Sequence, residues 1–163
     1  MLLVKKPARK LDRGALKAEL LAVLEQTLST LQAAHADARA GATHEQAKPE
    51  NDKDTRALEQ SYLARGQALR IEALRSGLAA LGTMSLAEGQ VGRVGALIAA
   101  EEDDEKVWFF LAPEGGGTRL EGGVQVVTPA SPLGRALLGK RAGDEVELKL
   151  AGKTRLLSVL SVA

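Results

Sequence analysis

The stretch TPASPLGRALLGK, residues 128–140, followed by Gly143-Asp144-Glu145-Val146, is the densest structural signal in the chain. Ser131 is a helix N-cap residue, and Pro132 suits the first helical position, where a missing N–H costs nothing. Gly139 then stands where a left-handed residue closes a helix, so Ser131–Gly139 reads as one short capped helix. Gly143-Asp144 is a turn, and Val146, Leu148 and Leu150 alternate as in a half-buried strand. Ala151-Gly152 turns the chain into a last strand over Thr154–Val162.

Towards the N-terminus of that stretch the texture stays that of a sheet. Gln90–Ala100 is predicted as a strand, with Glu101–Glu105 a polar turn and Lys106–Ala112 a second strand. Glu114-Gly115-Gly116-Gly117 is a loop, and Val124–Val127 a short strand. The expectation is an antiparallel sheet with one short helix, beginning after a seam at Gly82–Ser85. Before that seam, from about Leu11 to Leu81, the chain is rich in Ala, Leu, Arg, Glu and Gln, which are strong helix formers.

Leu16, Leu20, Leu24, Leu28 and Leu31 make one apolar stripe, continued weakly by Ala34 and Ala38. Leu58, Tyr62 and Leu69 begin a second, followed by Ile71, Leu74, Leu78 and Leu81. Neither stripe can bury itself alone, so the pair is predicted as an antiparallel coiled-coil hairpin, with rival seams possible. Its break is Gly41–Asp54, where Pro49 bars a helix interior; the first helix ends at Gly41 or runs on to Ala47. A helix of roughly 30 residues reaches about 45 Å, which sets the loop far from the sheet. The fold class is therefore α+β, divided into a helical hairpin over 1–82 and a β domain over 83–163.

Composition narrows the chemistry. The 163 residues carry a net charge of +1, which creates no strong field towards naked nucleic acid or a membrane. The absence of cysteine removes disulfides, thiolate metal sites and thiol nucleophiles, and a reducing compartment is natural. No run approaches the length of about 20 apolar residues that spans a bilayer, and MLLVKKPARK is too short and wrongly ordered for a secretory signal. A cytoplasmic protein is expected. His44-Glu45 has no second histidine four residues on, so there is no HExxH zinc site, and His35 is placed on the hairpin surface or edge. The triple-glycine loop lacks the Gly-Lys-Ser/Thr ending of a phosphate loop. Glu101–Glu105 is read as a solvated turn that would repel RNA phosphates. Trp108 and Phe110 share a strand face and are assigned to core packing.

Residues 128–146, with the hairpin before them, resemble the Gre-type (GreA/GreB) transcript cleavage factors, which carry an S-P-[apolar]-x-[RK]-x-L-[apolar]-G-K segment before a G-D-x-V turn. The resemblance implies an FKBP-like β domain that docks on RNA polymerase, with Ser131, Pro132, Leu133, Arg135, Gly139 and Lys140 as docking candidates. It implies a hairpin that enters the polymerase's secondary channel and meets the nascent RNA 3′ end only indirectly, and DNA binding is expected with that role in transcription. The implied role is that of a cofactor to the polymerase's own RNA hydrolysis, with no active site and no small-molecule substrate of its own. An FKBP-like domain also raises prolyl isomerisation, but Tyr62, Trp108, Phe109 and Phe110 are too few aromatics to line such a pocket.

At the tip, Glu50 and Asn51 match the family's Glu-Asn, while Ala47 stands where the family commonly has Asp. Glu45, Asp52 and Asp54 are substitute carboxylates, and Glu50 with Asp52 or Asp54 could share a Mg²⁺ with the polymerase, since Mg²⁺ needs only one or two carboxylates beside phosphates and waters. Ordinary capping at the start of the second helix accounts equally for Glu50, Asp52 and Asp54. Arg39, Lys48, Lys53, Arg56, Arg65 and Arg70 dot the hairpin, either to meet channel walls and transcript or to solubilise the arm. The alternative to cleavage stimulation is a polymerase-binding inhibitor or competitor.

Overall fold

The computed structural model describes residues 10–46 and 51–163, with the side chains of 10–41 and 55–163. Two long helices come first, α1 (Arg13–Gln46) and α2 (Asn51–Gly82). Gly41 does not end α1, which runs on through five further residues to Gln46. At about 1.5 Å per residue, 34 residues span about 50 Å. Gly41 faces the Gln60 side-chain amide, whose Oε1 would lie 3.4 Å from an added Cβ, so the two helices run antiparallel beside their connection.

The chain divides into two compact units, one over Leu21–Gly82 and the other over Thr83–Ala163 with the described residues up to Leu20. In the helical unit the inward residues of α2 recur at alternating spacings of three and four. They are Ala57, Gln60, Ala64, Gln67, Ile71, Leu74, Leu78 and Leu81, each buried or half-buried. On α1 the inward set is Leu24, Leu28, Leu31, His35 and Ala38. That is the a/d pattern of a left-handed coiled coil. It departs from the sequence expectation in the distal half. Leu58, Tyr62 and Leu69 are 57%, 66% and 68% exposed, so that stripe is not the seam, and Ala34 is exposed while His35 turns inward.

The other unit is a six-stranded sheet in the order β3-β4-β2-β1-β6-β5. Its strands are β1 (Leu97–Glu102), β2 (Glu105–Leu111), β3 (Arg119–Leu120), β4 (Val124–Val127), β5 (Glu145–Leu150) and β6 (Lys153–Val162). The short helix α3 (Pro132–Leu137) lies between β4 and β5 in sequence. The predicted strand over Gln90–Ala100 begins only at Leu97. Gly95 takes φ +95°, and Gly92 exchanges backbone hydrogen bonds with Gly139 and Lys140 at 2.8 Å, which spends its polar groups outside the sheet. Asp103 and Asp104 at φ 52° and 62° form the two-residue turn between β1 and β2.

The sheet is mixed, not wholly antiparallel: β2 and β4 pair in parallel, with Phe110 opposite Val126. The cause is the reversal at Glu121–Gly123. There β3 turns back into β4, so β4 returns in the direction of β2 and fits beside it. One face of the sheet buries Ile98, Phe109, Leu111, Val127, Val146, Leu148, Leu157 and Val159 beneath Leu133 and Leu137 of α3. Each such side chain is worth about 1.5–3 kcal/mol in transfer from water. Leu97, Ala99, Phe110, Val124 and Val126 of the opposite face are buried as well. The opening of α1 is tied into this unit: Arg13 donates to the Ala87 and Gly95 carbonyls, Lys17 to that of Met84, and Glu19 accepts from the Glu121 N–H at 3.0 Å.

Candidate functional site

Within Ser131–Lys140, the structure separates residues that build the segment from residues that present a surface. The Ser131 hydroxyl accepts from the Gly134 N–H at 3.0 Å and donates to the Thr128 carbonyl at 2.8 Å, so it caps α3 and pins it to the end of β4. Gly134 is obligatory by space: a Cβ there would lie 1.8 Å from the Thr128 carbonyl oxygen. Leu133 and Leu137 are core, and Gly139 holds φ +77° past the helix end. What remains outward is Pro132, Arg135 and Leu138, with Ser131 and Lys140 half-exposed. Of the docking candidates, Leu133 is therefore spent on the interior, and Gly139 on the turn.

The hairpin tip falls largely outside the described residues. Glu50 lies outside them altogether, as do Ala47, Lys48 and Pro49, and the side chains of Glu45, Asn51, Asp52 and Asp54 are not described. Among the described residues no group of His, Asp or Glu is placed to hold a metal ion. No described helix is long and apolar enough to cross a membrane.

Polar chemistry unforeseen in the sequence sits in the arm's seam. His35 Nδ1, Gln60 Oε1 and Gln67 Oε1 are buried without a hydrogen-bond partner. Each such group costs about 1–3 kcal/mol. The heptad spacing of 57, 60, 64 and 67 was the signal that could have placed them, but Leu58, Tyr62 and Leu69 offered a stronger apolar stripe.

On the sheet, Glu102 is withdrawn from the acidic turn. Its carboxylate accepts two hydrogen bonds from Arg155, at 2.7 and 2.8 Å, fifty-three residues away. The Arg155 hydrogen bond and charge hold the Glu102 carboxyl below the usual range against the opposing effect of burial, and the same contact raises the guanidinium. Glu101, Asp103, Asp104 and Glu105 remain exposed, as a solvated turn should be. Phe109 and Phe110 are buried, whereas Trp108 is half-exposed with the Lys106 ammonium 4.5 Å above its ring. A cleft of about 810 Å³ in this unit is lined by Lys10, Asp12, Arg13, Glu88, Gln90 and Ala163 among others, with no aromatic, and a second of about 330 Å³ is lined by Trp108 and Phe109 with Lys106, Arg119 and Arg155.

Comparison with known proteins bears on the sheet unit. Residues 94–163 match the family model of the C-terminal domain of the transcription elongation factors GreA/GreB. Over 71 residues the chain is 35% identical to transcription elongation factor GreA of Desulfotalea psychrophila, a match covering 44% of this chain and 42% of that protein. Among solved structures, GreA factor homolog 1 (Gfh1) of Thermus thermophilus aligns over 88% of this chain and 94% of its own, with 20% identity and a TM-score of 0.39. Gfh1 of Thermus aquaticus aligns over 86% and 92%, with 23% identity and a TM-score of 0.40. Superposition at that level bears no functional weight.

Proposed function

We propose a function from one premise: through residues 94–163, this chain belongs to the GreA/GreB family of transcription elongation factors. On this reading the chain binds RNA polymerase, with the outward residues of the Ser131–Lys140 segment taking part, and modulates elongation. The helical hairpin enters the secondary channel and brings Glu50 and Asn51 to the polymerase's catalytic centre. The match of 94–163 carries the reading, and the two-helix arm before it supports it.

The finer mechanism is stimulation of transcript cleavage by the polymerase's own active site. Carboxylates are hard oxygen donors, and the donor set Glu50 with Asp52 or Asp54 suits a Mg²⁺ also held by phosphate oxygens and water. Glu50 with Asp52 or Asp54 would help hold such an ion, which when bound would supply water activation and charge stabilisation to the polymerase's own hydrolysis. The chain contributes position: a coiled-coil arm about 40 Å long fixes where the carboxylates arrive. Ala47, standing in place of the family's Asp, favours a second reading in which the arm occupies the channel and competes there without promoting hydrolysis.

Stalled, backtracked elongation complexes with 3′-labelled RNA separate the two. Release of a labelled 3′ fragment by the wild type, lost in Glu50→Ala and in either Asp52→Ala or Asp54→Ala, is the expected result. Slowed elongation with no fragment would replace cleavage stimulation by competition. Neither fragment release nor polymerase binding would remove the functional reading altogether.

A further inference from the structure

The distal half of α2 inverts the usual rule for an amphipathic helix. Its inward positions hold Ala57, Gln60, Ala64 and Gln67, small or polar, with two glutamine oxygens left unpaired in the seam. Its outward positions hold Leu58, Tyr62 and Leu69, at spacings of four and seven. A single exposed leucine needs no explanation, but a stripe along three turns, set against a polar interior, does. Rotating α2 would exchange the two sets, yet the helix keeps its larger apolar side chains in water.

Charge narrows what could cover the stripe. Arg65 stands inside it, between Tyr62 and Leu69, and is exposed. Gly66, where an added Cβ would meet nothing within 4 Å, leaves bare backbone between Tyr62 and Leu69 for close approach. A second copy is a poor occupant, because antiparallel pairing of two such stripes brings Arg65 near its own counterpart. Nucleic acid is also a poor one, because leucines gain little from phosphates. A protein surface that is apolar and edged by carboxylates satisfies both features.

We propose that Leu58, Tyr62 and Leu69, with Arg65, form a docking stripe for an apolar, carboxylate-edged protein surface, and that this surface belongs to RNA polymerase. The identity of the partner rests on the function proposed above. The stripe adds to that reading a particular side of the arm, which fixes the arm's rotation in the channel.

The test uses the full chain and purified bacterial RNA polymerase, comparing wild type with the triple variant L58S/Y62S/L69S and with R65E. These side chains are exposed, so both variants should melt within a few degrees of wild type. The triple variant should bind polymerase about tenfold or more weakly, and R65E should lose much of the salt dependence of binding. Equal affinity of the triple variant and wild type overturns the stripe and leaves the proposed function standing. No binding by wild type overturns that function and the assignment of this partner together. Wild-type binding to labelled RNA alone, abolished in the triple variant, reassigns the stripe to nucleic acid and overturns the proposal. So does a wild-type dimer in sedimentation that the variant makes monomeric.

Discussion

Single residues in this chain are constrained by local chemistry that can be tested one at a time. Ser131 satisfies an otherwise orphaned N–H of α3, so Ser131→Ala should cost about 1 kcal/mol in urea unfolding. Gly134→Ala forces a methyl onto the Thr128 carbonyl and should cost about 1–3 kcal/mol by the same measurement, with β4 and α3 displaced from each other. The Glu102–Arg155 pair makes a pH prediction. The folded-state pKa of Glu102 is lowered, so its contribution is complete above the unfolded value, about 4.3, and is lost as pH falls through the folded value. Glu102→Gln should therefore lower the melting temperature at pH 7, by the equivalent of about 1 kcal/mol, and by less near pH 3. An equal deficit at both pH values would show that the pair's charge is not what stabilises β1 against β6. The raised Arg155 titrates far above this window and leaves the sign unchanged.

At the scale of elements, the coiled coil has two unlike halves. Leu24, Leu28, Leu31, Ile71, Leu74 and Leu78 give the proximal half an apolar seam. His35, Ala38, Ala57, Gln60, Ala64 and Gln67 give the distal half one that is smaller and partly polar. Stability should fall towards the tip, since local unfolding follows the density of buried apolar contacts. Gln60→Leu with Gln67→Leu should raise the melting temperature and slow amide exchange in the distal turns, because two unpaired buried oxygens disappear. Unchanged exchange there would mean that water already satisfies both amides. Gly66→Ala should stabilise α2 by about 0.5–1 kcal/mol, since the added methyl meets nothing.

For the whole molecule, binding and action should separate along the chain. Arg135 is exposed within the stretch 94–163 that matches the GreA/GreB C-terminal family model, whereas Glu50 lies in sequence between α1 and α2. Arg135→Glu is expected to weaken polymerase binding about tenfold without altering the melting curve, as charge reversal at an interface does. Glu50→Ala should leave binding within about threefold and abolish any 3′ fragment release. Loss of binding in Glu50→Ala with none in Arg135→Glu would remove Arg135 from the docking surface and give the affinity to Glu50.

Much of this architecture was legible in the chain itself. The cap at Ser131, the positive φ at Gly139, the turns at Gly143-Asp144 and Ala151-Gly152 and the alternation of Val146 with Leu148 follow from neighbours a few residues apart, and local chemistry fixes them before anything packs. The presence of two long helices is of the same kind, because Ala, Leu, Glu and Arg favour helix whatever lies beside them. Tertiary structure decided the rest. Whether Leu58 or Ala57 turned inward depended on how α1 and α2 meet, since both seams have helical spacing. The insertion of β4 parallel to β2 depended on where β3 reversed, and the withdrawal of Glu102 from its acidic run on Arg155 arriving across the sheet. Those outcomes are set by partners far away in sequence, and periodicity along one segment holds no record of which face its partner will cover.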